Sequence, residues 1–262
     1  MNEIIQGDCL QVMKTLPAES VDLVVTSPPY DNIREYKGFT FDFEGIAHEL
    51  FRVLKQGGVI VWVVGDQTVD GSETGTSFKQ ALYFKEIGLK LHDTMIYYKI
   101  AMTLNHNRYE QEFEYMFVFS KGSPKTFNPM IIPCKWFGMD SDRTGQKLGV
   151  HNEKMKKARS EKNRTNIKET KIRGNVWKYN TGYGHSTKDK SAFAHPAIFP
   201  ENLAADHIRS WSNEGDLVLD PMNGSGTTTK MAKHLGRNYI GIDISGEYCE
   251  IARKRIRQEI LI

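Results

Sequence analysis

The stretch TSPPY, Thr26 to Tyr30, directly follows the apolar run VDLVV and contains side chains that could do chemistry. Two consecutive prolines have no N–H to donate and have fixed φ angles, so a central strand must end at about Thr26. The resulting rigid corner holds the Ser27 hydroxyl, the proline carbonyls and a tyrosine ring. Such a corner could accept hydrogen bonds from a polar ligand and stack on its planar part.

The segment DLVLDPMNGSGTTTKMAKHLGRNYIGIDIS predicts a strand over 216–220, a turn at 224–226, a helix over 227–235 and a strand over 239–243. Glycines in such a turn let the backbone approach a ligand, and a carboxylate ending the second strand, here Asp243, can accept from two ribose hydroxyls. Glycine can also serve helix packing alone. Because the segment has neither GxGxxG nor a P-loop GK[ST], a nucleoside ligand without a pyrophosphate is favoured.

The elements that must position these residues alternate between strand and helix. After VDLVVT come an amphipathic stretch from Phe43 to Leu54, the pair Gly57-Gly58 as its predicted C-cap, and the apolar strand VIVWVVGD, which ends at Asp66. A helix is predicted over 77–87, and strands at DTMIYYK and EYMFVFS. Continuously apolar strands are typical of parallel sheets. The predicted fold class is therefore α/β, a mostly parallel sheet flanked by helices.

The bulk composition argues against several classes of protein. The chain has 262 residues, of which 39% are hydrophobic and 26% charged. It contains no apolar run near the roughly 18 residues of a membrane span, and no signal peptide is recognised. The three cysteines are isolated, so no metal site is predicted. These features favour a cytoplasmic, reduced protein without a membrane partner.

Positive charge is concentrated in one segment. The net charge is only +3, but the stretch from Ser141 to Lys178 has twelve Lys and Arg against four Asp and Glu. It lies between Lys121 and about Ala194, where the alternation of strands and helices disappears. A basic segment suggests a polyanionic partner, although a charge run is more often a solvated loop. The predicted division is 1–123, an inserted region over 124–192, and 193–262.

Three motifs, TSPPY, HPAIFPENLA (195–204) and DPMNGSGTT (220–228), together resemble those of amino-group DNA methyltransferases that use S-adenosylmethionine. Their order resembles the permuted β-class of that family, and the resemblance covers almost the whole chain except the basic insertion. It implies a Rossmann-like S-adenosylmethionine-dependent methyltransferase fold. The catalytic half would be 1–123, the target-recognition region 124–192 and the cofactor-binding half 193–262.

The resemblance also implies a catalytic set at the corner. In the family, the first residue of SPPY and the carbonyl of the first proline accept both hydrogens of the exocyclic amino group. Ser27 and Pro28 have those positions here, Pro29 stiffens the corner, and Tyr30 would stack on the base. The base must flip out of the duplex, which costs a few kcal/mol, and stacking on an aromatic ring returns roughly 1–3 kcal/mol.

A second set of residues matches family segments that bind the cofactor. Asp8 matches a contact with the adenine side, although a strand-to-helix cap fits equally well. The Thr227 and Thr228 hydroxyls could hold the methionine carboxylate or cap their helix. His195 is interpreted as structural. The predicted cofactor set is Asp8, Thr26, Phe199, Pro200, Asn202, Asp220, Pro221, Asn223, Gly224, Ser225, Gly226, Thr227, Thr228 and Asp243.

The first residue of the catalytic motif indicates the substrate. In the family, serine there is typical of cytosine-N4 enzymes and aspartate of adenine-N6 enzymes, so Ser27 favours N4-cytosine and leaves N6-adenine as the alternative. Methylation at cytosine C5 needs a cysteine nucleophile, classically one that follows a proline, and none of Cys9, Cys134 and Cys249 is interpreted as having that setting. An RNA methyltransferase and a nucleic-acid binder with an inactive core are the remaining alternatives.

The inserted region is the predicted site of sequence recognition. Its lysines and arginines would bind phosphates, and a few side chains would read base edges. The candidates for DNA contact are Arg143, Arg159, Arg164 and Arg173. The predicted partner is double-stranded DNA; a homodimer and a cognate restriction endonuclease follow only by analogy with the family.

Overall fold

The computed structural model describes residues 2–29, 41–99, 108–135, 168–182, 184–195, 198 and 200–258. The chain divides into two compact units, one of Met1–Asn128 with Asn175–Ile262 and one of Pro129–Gly174. The smaller unit falls within the predicted insertion, 124–192. The predicted boundaries and the assignment of that region to target recognition stay predictions.

An eight-stranded sheet forms the centre of the larger unit. It has the order β1-β12-β11-β2-β3-β7-β6-β10, and all neighbouring strands are parallel except at β7, which is antiparallel to β3 and β6. Strands β4 and β5 form a hairpin, and β8 and β9 pair within the smaller unit. The strands of the described residues are β1 (Asn2–Gln6), β2 (Val21–Thr26), β3 (Leu54–Val64), β4 (Thr68–Val69), β5 (Ser72–Glu73), β6 (Lys90–Tyr98), β7 (Phe113–Ser120), β8 (Ile131–Pro133), β9 (Thr170–Ile172), β10 (Val176–Lys178), β11 (Leu217–Asp220) and β12 (Asn238–Asp243).

The helices pack in two groups. The described α-helices are α1 (Cys9–Thr15), α2 (Phe43–Val53), α3 (Thr76–Glu86), α4 (Glu201–Trp211), α5 (Thr227–His234) and α6 (Gly246–Arg257), with a 3₁₀ turn at Lys190–Ala194. Helix α2 contacts α1 and α3, whereas α5 contacts α4 and α6. No helix in the described ranges is long and apolar enough to cross a membrane.

Strand β3 shows why the sheet is apolar throughout. Ile60 and Trp62 lie in a hydrophobic cluster with buried residues of α1, α2 and α3. Val59 and Val61 are as fully buried but lie outside that cluster, because successive side chains point to opposite faces. Both faces are therefore covered, and the predicted α/β sheet flanked by helices is confirmed.

Helix α2 begins where the sequence predicts but ends earlier. It ends at Val53, and Leu54 both caps it and begins β3. The predicted C-cap at Gly57-Gly58 is therefore wrong. Gly57 has φ +80°, and a Cβ there would lie 2.9 Å from the Cβ of Lys125. The glycine is needed because a neighbouring segment approaches the strand too closely for a side chain.

Candidate active site

Strands β12, β11 and β2 are neighbours, run in the same direction and end at the same edge of the sheet. Their last residues are Asp243, Asp220 and Thr26. Because β11 lies between the other two strands, the glycine turn that follows it is adjacent to the proline corner that follows β2. This is the edge at which open α/β sheets bind ligands.

A buried carboxylate joins the corner to the glycine turn. Asp220 is 2% exposed, and its Oδ1 accepts from the Thr26 hydroxyl at 2.7 Å and from the Met222 N–H at 3.1 Å. The Thr228 hydroxyl donates to the Val25 carbonyl at 3.1 Å. Thr26 and Asp220 are 194 positions apart in the sequence. The first residue of the glycine motif therefore holds the residue directly before Ser27.

Burial raises the pKa of Asp220 to about 6, and hydrogen bonds from Thr26 and Met222 oppose the rise. The folded protein therefore binds this proton more tightly than the unfolded chain. The stabilisation from proton binding is fully present below the ordinary pKa of 3.8 and is lost as the pH rises through about 6.

We expect the substitution Asp220→Asn to remove this pH dependence. The amide keeps an oxygen acceptor for the Thr26 hydroxyl but does not titrate. Between about pH 4 and pH 7, the free energy of unfolding of the wild type should fall relative to that of the variant by roughly 3 kcal/mol. Urea unfolding of both proteins at several pH values measures this difference.

The pKa of Asp189 is shifted in the opposite direction from that of Asp220. Burial tends to raise the pKa of Asp189, but hydrogen bonds from Lys230 and Arg255 outweigh it and lower the pKa. Its stabilisation is therefore present above the ordinary pKa of 3.8 and is lost as the pH falls through the folded value.

A stability difference between wild type and Asp220→Asn that stays constant with pH would contradict the raised pKa of Asp220.

The glycine turn brings its backbone against Asp243. The Gly224 N–H donates to Oδ2 of Asp243 at 2.8 Å, and the Ser245 N–H donates to Oδ1 at 2.8 Å. Burial raises the pKa of this carboxyl group, and the two backbone donors oppose the rise. Each carboxylate oxygen has a further acceptor position. Asp243 can thus hold the turn and still accept from ribose hydroxyls.

The end of the turn is packed against α6. Gly226 has φ +82° and precedes Thr227, the first residue of α5, and a Cβ there would lie 2.6 Å from the Cβ of Ala252. The Asn223 N–H donates to the Ile242 carbonyl at 2.9 Å. The side-chain nitrogen of Asn223 is buried and has no hydrogen-bond partner within the described residues. The turn is therefore fixed on both sides.

Three predicted cofactor side chains have partners within the protein. Asp8 is exposed and accepts from an N–H in the first turn of α1 at 2.9 Å, so its predicted role as a cap is confirmed. Gly226 is the N-cap of α5, and no side chain caps that helix. The Thr228 hydroxyl donates to β2, and that of Thr227 accepts from Arg255 at 3.3 Å. Their contacts with a cofactor stay predictions.

A cavity of about 430 Å³ lies beside the predicted residues of the methionine end, within the larger unit. Pro200 and Asn202 line it together with Lys178, Tyr179 and His185. Pro200 is buried directly before α4, and Asn202 is exposed in the first turn. Strand β10 ends at Lys178 and runs in the same direction as β2. The cavity therefore lies on the same sheet edge as the corner.

The corner is described as far as Pro29. Pro28 is buried, whereas Ser27 and Pro29 are half-buried. In the smaller unit, the Arg173 N–H donates to the Met130 carbonyl at 2.8 Å, and the Arg173 guanidinium lies 3.9 Å from the Met130 sulfur. The remaining predicted side chains lie outside the described residues: Tyr30, Arg143, Arg159, Arg164 and Phe199.

Two further residues singled out in the sequence have structural contacts. The ring of His195 lies edge-on to that of Tyr248, with centroids 4.4 Å apart, which agrees with its structural interpretation. Asp66 accepts from the Ser77 N–H at 2.8 Å in the first turn of α3. Among the described residues, no cluster of His, Cys, Asp and Glu side chains is arranged to hold a metal ion.

Sequence reasoning missed a buried ionic cluster beside the glycine turn. Arg255 of α6 is fully buried and donates to the Ser225 carbonyl at 2.6 Å. Both Arg255 and Lys230 form ion pairs with Asp189 and Glu201. The available signal was the position of Arg255 on the same face of α6 as its buried apolar residues.

Comparison with known proteins identifies the family of this chain. A family model for DNA methylases matches residues 21–254. The orphan methyltransferase M.BamHII of Bacillus amyloliquefaciens is 54% identical over 98% of this chain and 92% of its own length. The type II methyltransferase M.HpaI of Haemophilus parainfluenzae is 29% identical over 98% of this chain and 74% of its own length.

Solved structures share the architecture. The cytosine-N4-specific PvuII DNA methyltransferase superposes with a TM-score of 0.71 at 19% identity, over 100% of this chain and 88% of its own. M1.HpyAVI, solved as a complex with SAM, superposes with a TM-score of 0.63 at 26% identity, over 97% of this chain and 100% of its own.

The sheet, its helices and the glycine turn define a Rossmann-like fold of the methyltransferase type, as the sequence predicted. The chain belongs to the N6/N4 family of DNA methylases. The family resemblance carried by the three motifs is thereby confirmed.

Proposed function

We propose that this protein transfers a methyl group from S-adenosylmethionine to the exocyclic N4 of cytosine in double-stranded DNA. The observation that carries the proposal is the hydrogen bond of 2.7 Å between Thr26 and Asp220. It joins the glycine turn, where the cofactor would bind, to the Ser27 corner, where the amino group would bind. Donor and acceptor sites are thus neighbours on one edge of the sheet.

The residues of this edge fit the cofactor. The Asp243 carboxylate, with acceptor positions left over, would hold the ribose. Bound S-adenosylmethionine would supply an electrophilic methyl group. The two carboxylates Asp220 and Asp243 end adjacent strands. Asp220 accepts from the Met222 N–H and Asp243 from the Gly224 N–H, so both hold the backbone that leads into the turn.

The corner would activate the amino group without a covalent intermediate. The Ser27 hydroxyl and the Pro28 carbonyl would accept its two hydrogens and turn the nitrogen lone pair out of the ring plane. The nitrogen would then form a bond to the methyl carbon of the bound cofactor as the sulfur–carbon bond breaks, and the amino group would lose a proton to solvent or a neighbour. Preorganised acceptors of this kind need no reorganisation during the reaction.

Cytosine is favoured over adenine because serine is the first residue of the motif. Cys134 directly follows Pro133, so one cysteine does have the neighbour expected of a C5-cytosine nucleophile. Membership in a family that modifies amino groups argues against C5 chemistry. The runner-up stays methylation of adenine N6 by the same mechanism.

The identity of the methylated nucleoside distinguishes cytosine from adenine as the substrate base. Incubation of the protein with unmethylated genomic DNA and labelled cofactor, followed by digestion to nucleosides and mass spectrometry, should yield labelled N4-methylcytosine. Labelled N6-methyladenine would keep the mechanism and overturn the choice of base. Cofactor binding without any label in DNA would overturn the proposed function, and so would label found only in RNA when RNA is offered in a parallel reaction; a reaction without the protein is the blank.

The basic region over 124–192 is proposed to recognise the DNA sequence. Its charge excess and the antiparallel pair of β8 and β9 in the smaller unit, with mostly exposed side chains, support this assignment. Sequencing of the methylated DNA before digestion tests it, because Arg173→Ala should relax the selection of methylated positions. A homodimer and a cognate endonuclease stay proposals by analogy.

A further inference from the structure

The guanidinium of Arg255 touches the predicted cofactor turn directly. Its Nη1 donates to the Ser225 carbonyl at 2.6 Å, to the Ser225 hydroxyl at 3.0 Å and to the Thr227 hydroxyl at 3.3 Å. Arg255 is 0% exposed. A charge so deeply buried is costly unless it is paired and hydrogen-bonded throughout, and such a group tolerates little movement.

The other side of the same guanidinium holds a second segment. Its Nε donates to Asp189 at 3.1 Å, and its Nη2 donates to Glu201 at 2.7 Å and to the Thr187 hydroxyl at 3.4 Å. Thr187 in turn donates to Glu201 at 2.7 Å. This second segment, 187–201, directly precedes Asn202 and contains Pro200, two residues predicted to border the methionine end of the cofactor.

Lys230 neutralises the cluster without reaching the turn through its side chain. Its Nζ donates to Asp189 at 2.6 Å and to Glu201 at 2.8 Å, the same two carboxylates that Arg255 contacts. The cluster therefore has two cations and two carboxylates. Among the side chains that the structure describes, Arg255, with its planar fork of five N–H donors, connects the carboxylates to the backbone of the turn.

The two segments also pack directly on each other. A Cβ added to Gly224 would lie 2.8 Å from the His195 ring nitrogen Nε2. The turn and the segment 187–201 therefore meet at two places, the His195 contact and the Arg255 fork. A shift of either segment would change the shape of the site between them.

We propose that Arg255 is a positioning residue that sets the affinity for S-adenosylmethionine. By holding the Ser225 carbonyl, it fixes the orientation of the peptide in the turn. By holding Asp189 and Glu201, it fixes the segment 187–201 on the other side of the proposed cofactor site. Arg255 itself need not touch the cofactor. This inference rests on the proposed function, because it concerns the same cofactor site.

The substitution Arg255→Lys tests whether the branched guanidinium is required, and not only its positive charge. Lysine keeps the two-to-two charge balance but has one nitrogen, which cannot reach the turn and both carboxylates together. We expect the Kd for S-adenosylmethionine, measured by calorimetry without DNA, to rise about ten-fold. KM for the cofactor should rise in parallel, while kcat at saturating cofactor should change by less than about three-fold.

Lys230→Met is the matched control. It removes the other cation from the same carboxylates but breaks no side-chain contact with the turn, so it should lower Tm and leave the cofactor Kd within about two-fold. If Arg255→Lys does not fold, Asp189→Asn takes its place, because it loosens one anchor of the guanidinium and should raise Kd about three-fold.

Arg255→Lys with an unchanged Kd, or Kd changes in both variants that follow only their loss of Tm, would overturn the positioning role. That result, with tight binding by the wild type, leaves the proposed function intact. A wild-type protein that does not bind the cofactor would overturn both.

Discussion

Replacing Gly226 with alanine is expected to lower the free energy of unfolding by roughly 3 kcal/mol or more, because two penalties add. Gly226 has φ +82°, a conformation that L-residues rarely adopt. The new Cβ would also lie 2.6 Å from the Cβ and 2.9 Å from the Cα of Ala252. The Cα belongs to the backbone of α6, so the helix itself would have to move. Urea unfolding measures the loss.

Gly215→Ala separates the two penalties. Gly215 has the same φ of +82°, but nothing lies within 4 Å of its added Cβ. This control should cost only about 1–2 kcal/mol, the conformational penalty alone. Equal losses at Gly215 and Gly226 would mean that α6 yields easily and that the turn is not tightly packed against it.

The local elements of this fold follow from the sequence, but their arrangement does not. Apolar runs and glycine turns predicted β2 and the segment from β11 to β12 within a residue or two, whereas β3 begins five residues before its predicted start. Nothing local indicates that β1 pairs with β12, or that β7 enters between β3 and β6 in the opposite direction. Those neighbours are set by packing between segments far apart in the chain.

The same limit applies to the site. The sequence places Thr26 and Asp220 each at the end of a strand, which suffices to predict a shared edge. It does not predict that one would donate to the other, because a contact across 194 positions depends on which strands are adjacent. The family motifs placed both residues in one predicted cofactor set but did not predict a contact between them.

The burial of charged side chains was the largest feature that the sequence patterns did not predict. Arg255 lies in IARKRIR, a run that reads as a solvated helix face, and yet it is fully buried. Its partners Asp189 and Glu201 lie more than 50 positions away, one of them within the region predicted as an insertion. Sequence patterns assign charges to the surface because burial of an ion is costly. A paired cluster is an exception to that rule: the helical position of Arg255 could have indicated its burial, but its partners are known only from the three-dimensional contacts.

Ser27→Ala is expected to reduce kcat by roughly 10²–10³-fold, the range found when one preorganised hydrogen-bonding group is removed from a transition-state site. The variant loses the hydroxyl proposed to accept an amino hydrogen, while the Pro28 carbonyl remains, so residual activity should be measurable. The Kd for S-adenosylmethionine should stay within about two-fold, because the variant keeps the Thr26 hydroxyl that donates to Asp220 at the start of the glycine motif. Single-turnover methylation at saturating cofactor and DNA isolates the chemical step.

Ser20→Ala is the control at the opposite end of the same strand. Ser20 directly precedes β2, and its hydroxyl donates to the Pro17 carbonyl at 2.7 Å, away from the edge where β2 ends. The same substitution there should leave kcat unchanged, so that a general weakening of β2 is distinguished from loss of an acceptor. Full activity in Ser27→Ala would show that the hydroxyl does not activate the amino group. The inference from serine to cytosine N4 would then lose its chemical basis, since that preference assumes that the side chain contacts the base.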